Sequence, residues 1–213
     1  MGKAALYSAL KLLFPPECLH CKKPHDCLTV PLCETCMTFL EPLPPTSGVL
    51  VTFEGVGPAL SLMTALKKGY APKLSSILAA FMAVQYSKSD YPLPDLVTSV
   101  PSSIWRKWQM GQSIPTLLGK ELAKLLDRPF IPLLRRKRQL FRQDFLSREE
   151  RSHLPSHEFQ WHKKQSLHSK FILLIDDTIT TGTTLACCAK KLWEAGPKQI
   201  VKMACVDRGY LKM

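Results

Sequence analysis

Short apolar runs and longer stretches of helical spacing take turns along this chain. The runs at 49–53, 95–100 (DLVTSV), 171–175 (FILLI) and 198–206 (KQIVKMACV) are strand-length and too short for helices. Near-continuous apolar character in such runs is what strands buried on both faces require. Residues 129–134 form a further strand candidate. Between these runs, residues 56–68, 72–87 and 113–126 carry apolar side chains at helical spacing. Leu60, Met63 and Leu66 mark the first helix, and Ile114, Leu117, Leu118, Leu122, Leu125 and Leu126 line one face of the third, with Ser113 as its N-cap. The stretch LACCAKKLWEAG reads as a last helix, ended by Gly196 and Pro197. Strands alternating with helices predict an α/β fold with a mainly parallel sheet and helices on both faces.

The N-terminal part follows different rules. Residues 1–17 read as a short helix stopped by Pro15 and Pro16. They lack an h-region and a small-residue cleavage site, so they do not read as a signal peptide. Leu6 breaks the myristoylation pattern. No apolar run approaches the about 20 residues of a membrane span. The proline-rich EPLPPTSG marks a boundary, giving residues 1–41 as a helix plus a cysteine module, 42–48 as a linker and 49–213 as the α/β body.

Chemistry concentrates in two places. The first is the module, where five of the eight cysteines lie within residues 18–36. Cys18-x-x-Cys21 and Cys33-x-x-Cys36 are two knuckles that can close on one tetrahedral ion, and four thiolates suit structural Zn²⁺. About 40 residues cannot build a core unaided, so the metal is expected to organise this unit. Cys27, His20 and His25 are spare donors, with Cys27 the likeliest substitute. Cys187, Cys188 and Cys205 sit in apolar surroundings and read as inert core.

The second place follows the strand at 171–175. Asp176 and Asp177 are succeeded by Thr178, Thr180, Thr181, Gly182, Thr183 and Thr184. A hydroxyl-rich turn leading into a helix N-terminus is an anion cradle, because unpaired N–H groups and the helix dipole meet there. Two carboxylates beside it would repel a bare phosphate. They fit a ligand that also presents sugar hydroxyls or a divalent cation, such as a ribose 5-phosphate. A Walker B reading fails because no G-x-x-x-x-G-K-[ST] occurs. The acidic pocket of a response regulator normally follows the first strand, not one near the C-terminus. The loop Pro101, Ser102, Ser103 leaves the neighbouring strand, and in a doubly wound sheet it would face the same crevice.

The formal net charge of +12 favours anionic partners. Much of it lies in residues 135–170, a polar, basic loop carrying Arg135, Arg136, Lys137, Arg138 and Arg142, which are candidate contacts to a nucleic-acid backbone or to pyrophosphate. Trp161, Phe141 and Phe145 are interleaved aromatics. Lys67 and Lys68 end a helix and read as solvated charges that could also face a phosphate.

The stretch FILLIDDTITTGTTL resembles the phosphoribosyl-pyrophosphate (PRPP) signature of type I phosphoribosyltransferases. With the N-terminal four-Cys finger, LVTSVP, the lysine of TALKKG and the R…Q…LS..ER pattern at Arg142, Gln143, Leu146, Ser147, Glu150 and Arg151, the whole chain resembles the ComF family, competence-associated phosphoribosyltransferase-like proteins. The resemblance implies a type I phosphoribosyltransferase-like body with a small zinc-ribbon-like domain. It implies PRPP held with Mg²⁺, Asp176 and Asp177 on the ribose hydroxyls, and Thr180 to Thr184 on the 5-phosphate. It also implies a cytoplasmic role in natural competence, the uptake of single-stranded DNA alongside a helicase and a channel. One segment departs: the family's R-G-F-N-Q is replaced by Trp108-Gln109-Met110-Gly111-Gln112, and only Gln112 is kept. Two functions therefore stay open. One is a pentosyl-transferring enzyme; the other is a zinc-dependent single-stranded nucleic-acid-binding module whose phosphoribosyl pocket is regulatory or vestigial.

Overall fold

The computed structural model describes residues 16–25, 31–45, 48–69, 73–102, 113–137, 158–162 and 165–209. Their elements, in chain order, are α1 (Glu34–Thr38), β1 (Val49–Glu54), α2 (Gly57–Lys67), α3 (Lys73–Ser87), β2 (Leu96–Ser99), α4 (Ile114–Leu125), β3 (Leu134–Arg136), β4 (Phe159–Trp161), β5 (Phe171–Ile179), α5 (Thr183–Trp193) and β6 (Gln199–Asp207).

The expected fold class holds. β1, β6, β5 and β2 form a four-stranded sheet in that order, and every pair is parallel. α2, α3 and α4 cover one face, where Leu62, Met63, Leu78, Met82, Leu118 and Leu122 pack on Leu173, Ile175, Met203 and Cys205. α5 and the β3–β4 hairpin cover the other, where Leu185, Cys188, Leu192, Leu133 and Phe159 pack on Ile172, Leu174 and Ala204. Each fully buried aliphatic side chain contributes about 1.5–3 kcal/mol. β5 and β6 lie in the middle of the sheet and are buried on both faces, which accounts for their near-continuous apolar runs, broken in β6 by Lys202. Pro58 and Pro115 sit in the first turns of α2 and α4, where a missing N–H costs nothing.

Three expectations change. β5 does not stop at Ile175 but runs to Ile179. β6 is long enough to keep pairing it, with Asp176 opposite Ala204 and Thr178 opposite Val206. Both acids therefore stand on the strand, and the turn shrinks to Thr180, Thr181 and Gly182. The expected strand at 129–134 is instead a run beside β2: Val97 N donates to Pro129 O at 2.9 Å, and Ile131 N to Val97 O at 2.9 Å. The ladder strand itself lies later, at Leu134–Arg136. Finally, the basic stretch is not wholly a loop. Its ends close into the antiparallel pair β3–β4, with Leu134 opposite Trp161 and Arg136 opposite Phe159. Leu134 and Phe159 bury their side chains beneath it, and Trp161 packs against the same core, so apolar residues amid the charges gave the segment something to fold on.

The cysteine module is not a detached bead. Cys18, Leu32, Cys36 and Leu40 share one buried cluster with α2, α3 and α4. His20 Nδ1 lies 3.0 Å from Ser61 Oγ of α2. The proline-rich stretch is laid on β1: Leu43 N donates to Thr52 O at 2.8 Å, and Gln85 Nε2 donates to Leu43 O at 2.6 Å and to Val51 O at 3.1 Å. The edge strand β1 is thereby covered at that point. Among the described residues, no helix is long and apolar enough to cross a membrane.

Candidate functional site

The C-terminal edge of the sheet gathers the chemistry. Asp176 is 7% exposed and Asp177 is 8% exposed, so the strand carries both acids nearly buried. Asp177 N donates to Asp176 Oδ1 at 2.8 Å. Burial, the charge of Asp177 and a hydrogen bond to its carboxyl together push Asp176 well above the usual carboxylate range. Asp177 has a counter-ion: Lys67 Nζ lies 2.8 Å from Asp177 Oδ2 and 2.9 Å from Thr178 Oγ1. Thr178 Oγ1 in turn donates to Asp177 Oδ2 at 3.3 Å. Behind the pair, burial and then the charge of Asp177 push the Cys205 thiol up, so it stays neutral.

Beyond Ile179 the chain turns through exposed Thr180 and Thr181 to Gly182, whose φ of +74° is a conformation that favours glycine. Thr181 Oγ1 and Thr183 Oγ1 are 2.9 Å apart. α5 starts here, with Ala186 N donating to Gly182 O at 2.9 Å, and its first turn holds no acidic residue. An N-terminus of this kind favours an anion. The end of β6 closes the bend from the other side: Arg208 N donates to Ile179 O at 2.8 Å. Gly55 is needed at this same edge, because a Cβ there would come within 2.5 Å of Asp207 O.

The loop after β2 sits beside the acids. Val100 N donates to Ile175 O at 2.8 Å, one residue before Asp176. Pro101 and Ser102 follow, half-buried, and Ser102 Oγ lies 2.6 Å from Ser113 Oγ at the start of α4. The loop after β2 thus leaves the sheet beside Asp176, while the turn at Thr180 to Gly182 begins only after β5 has run on to Ile179. Ser103, the third residue of that loop, lies outside the described residues, as do Trp108 to Gln112.

Of the basic candidates, Arg135 and Lys137 are exposed. Arg136 is engaged: its Nε donates to Glu158 Oε1 at 2.9 Å, and its guanidinium lies over the Phe159 ring at 5.8 Å. Glu158 is buried, and its Oε2 has no hydrogen-bond partner among the described residues. Arg138, Arg142 and the R…Q…LS..ER residues lie outside the described residues. Lys67 is the site residue the sequence undersold. Its spacing is that of any solvated helix end, and only the packing of α2 against the sheet brings it to Asp177.

The second candidate site is the four-cysteine cluster. The Sγ atoms of Cys18, Cys21, Cys33 and Cys36 all lie within 4.8 Å of one another, and those of Cys21 and Cys33 are 3.6 Å apart. A tetrahedral zinc thiolate places sulfurs about 3.8 Å apart, so the donor set fits Zn²⁺. Burial raises the Cys18 thiol, but backbone N–H groups of Cys33, Cys21 and His20 outweigh it and bring it down to about 6. Burial, the neighbouring thiols and the Cys18 charge push Cys36 up to about 12. The Cys18 thiolate is thus stabilised by the fold alone, whereas Cys36 needs a cation to give up its proton. His20 is turned to Ser61, and Cys27 lies outside the described residues.

The burial of Asp176 has a measurable consequence. A carboxyl whose folded pKa is raised favours folding below its unfolded value, and that contribution is lost as pH climbs through the folded one. Asp176→Asn keeps the acceptor for Asp177 N and removes the cost of the charge. The expected result is a melting temperature higher by about 3–6 °C at pH 8. The difference should shrink as pH falls toward the ordinary carboxylate range. An unchanged or lower value at pH 8 in a thermal melt contradicts the assignment.

These features define a class: a parallel α/β protein with a carboxylate pair and an acid-free helix start at one sheet edge, joined to a four-cysteine module. No family model matches the chain. Among curated proteins it is a homologue of Competence protein F of Haemophilus influenzae, 29% identical over 124 residues, which cover 56% of this chain and 54% of that protein. The match thus spans about half the length of that relative. It is also a homologue of DNA utilization protein YhgH of Escherichia coli O157:H7, 28% identical over 159 residues, covering 72% of this chain and 69% of that protein. The ComF resemblance in the sequence is therefore met by a relative bearing the name Competence protein F. Solved structures similar to it include a hypoxanthine phosphoribosyltransferase from Staphylococcus aureus, with a TM-score of 0.42, 18% identity and 66% of each chain covered. A hypoxanthine-guanine phosphoribosyltransferase from Bacillus anthracis gives a TM-score of 0.41 at 11% identity, covering 66% of this chain and 70% of that one.

Proposed function

We propose that the chain binds PRPP, or a closely related ribose phosphate, at the C-terminal edge of its sheet, as a ComF-type protein serving DNA uptake in natural competence. The observation that carries this is the adjacency of Asp176 and Asp177 to the start of α5, with the Pro101–Ser102 turn beside them. In this reading the acid pair receives the ribose hydroxyls. Thr180, Thr181, Gly182, Thr183 and Thr184 receive the 5-phosphate through backbone N–H and hydroxyl donors. Pro101, Ser102 and Ser103 lie toward the pyrophosphate. If transfer is catalysed, the acid pair stabilises an oxocarbenium-like centre electrostatically, and no protein nucleophile is required. Calorimetric titration with PRPP tests the reading: saturable binding is expected, and no heat across the millimolar range counts against it.

Zn²⁺ would sit among Cys18, Cys21, Cys33 and Cys36, closed on all four sides, and act as a structural staple. Mg²⁺ fits the acid pair less well. Asp176 favours its proton, and Asp177 is occupied by Lys67.

A second reading is favoured by the net charge of +12 and by exposed Arg135 and Lys137 at the mouth of the β3–β4 hairpin. Here the chain holds single-stranded DNA, and the ribose-phosphate pocket regulates it. With about 4 phosphates contacted, log K is expected to fall with log salt at a slope of roughly −3. A flat salt dependence with a fluorescent oligonucleotide dismisses this reading.

A further inference from the structure

We propose that the Lys67 ammonium is the resident counter-cation of the acid pair, holding the place beside Asp177 where a divalent cation would sit, and that a ribose phosphate is captured there without metal. The proposal rests on the ribose-phosphate reading above and adds the means of charge balance. Two distances carry it: 2.8 Å from Nζ to Asp177 Oδ2 and 2.9 Å to Thr178 Oγ1. Lys67 is the last residue of α2, and that helix is fixed by Leu62, Met63 and Leu66 in the buried core. The ammonium is therefore delivered from a rigid support, not from a loop.

An ammonium has three donors. Two are used on Asp177 and Thr178, the side chain is still 32% exposed, and the third has no partner among the described residues, which leaves it for an incoming oxygen. A sugar phosphate brings what that donor wants, an anionic oxygen a short distance from hydroxyls. Magnesium demands a near-octahedral oxygen shell at about 2.0–2.1 Å. To enter, it would have to push the ammonium off Asp177. Asp176 offers it little in exchange, because burial favours its neutral form. Thr178, read from the sequence as part of the phosphate-binding turn, acquires a different role here: on the strand, it bridges the lysine and the aspartate.

Ribose 5-phosphate is the probe, since it carries no pyrophosphate to chelate metal of its own. Wild-type protein is titrated calorimetrically in excess EDTA and in excess Mg²⁺. The two affinities are expected to agree, and Lys67→Gln in EDTA should weaken binding about tenfold, the size of one charge-assisted hydrogen bond. Lys67→Arg, which keeps the charge, should retain most of it. In a separate arm without sugar, Mn²⁺ is titrated and followed by electron paramagnetic resonance. Wild type should show no site attributable to the pair, and Lys67→Gln should gain one. Binding that needs Mg²⁺ and ignores Lys67→Gln overturns the proposal while leaving the ribose-phosphate reading intact. No binding in either buffer overturns both.

Discussion

Removing the metal from the four-cysteine cluster is expected to do the greatest damage. Freshly purified protein should carry close to one zinc per chain by elemental analysis. Prolonged chelation, or Cys36→Ser, should lower the melting temperature by tens of degrees or leave the protein insoluble. The size follows from two facts. Structural zinc contributes about 10–16 kcal/mol to small units that fold around it, an amount comparable with a whole domain's stability. The cluster is also not insulated from the rest, because Cys18 and Cys36 are buried in the same core as α2, α3 and α4. Loss of the ion should therefore appear as one large shift in the melt of the entire chain. With Cys36 pushed up to about 12 in the metal-free state, zinc binding must also release protons, and a pH-stat titration should record them. A metal content well below one per chain, with full stability, would refute the assignment.

The second large effect is expected at the acid pair. Asp176→Ala combined with Asp177→Ala should abolish PRPP binding in calorimetry, a loss of at least about a hundredfold, as expected when a site's buried hydrogen-bonding groups are removed together. The double variant should nonetheless fold, since it relieves the cost of two nearly buried carboxyls. Its melting temperature serves as the control. A stable double variant that still binds PRPP with undiminished affinity would remove the acids from the site. The single Asp176→Asn variant separates the two roles, because it should gain stability while losing affinity, the usual exchange at a functional site.

Most of the framework could be read from residue pattern alone. The buried parallel strands, the helix after the threonine-rich turn and the two Cys-x-x-Cys knuckles each carry a local signal with one dominant physical meaning, although that helix starts at Thr183, two residues before the expected Leu185. The errors arose where distant packing decides. Nothing local says that β6 continues far enough to hold Thr178 and Ile179 in the ladder, although both are β-branched and suit a strand. The hairpin of β3 and β4 joins residues more than twenty positions apart across a charged stretch, and its cause is the burial of Leu134 and Phe159. The ion pair between Lys67 and Asp177 links residues 110 positions apart. Periodicity places Lys67 at a helix end and can say nothing about what that end meets.

The shared core has a consequence for dissection of this protein. The module that carries the thiolates also roofs α2, and α2 is what holds Lys67 at the sheet edge. A shortened version beginning at β1 would lay bare the oily side of that helix and loosen the very lysine whose aim depends on it. Four-cysteine module and acid-pair edge are thus two ends of one lever, and neither half can be expected to behave faithfully when cut from the other.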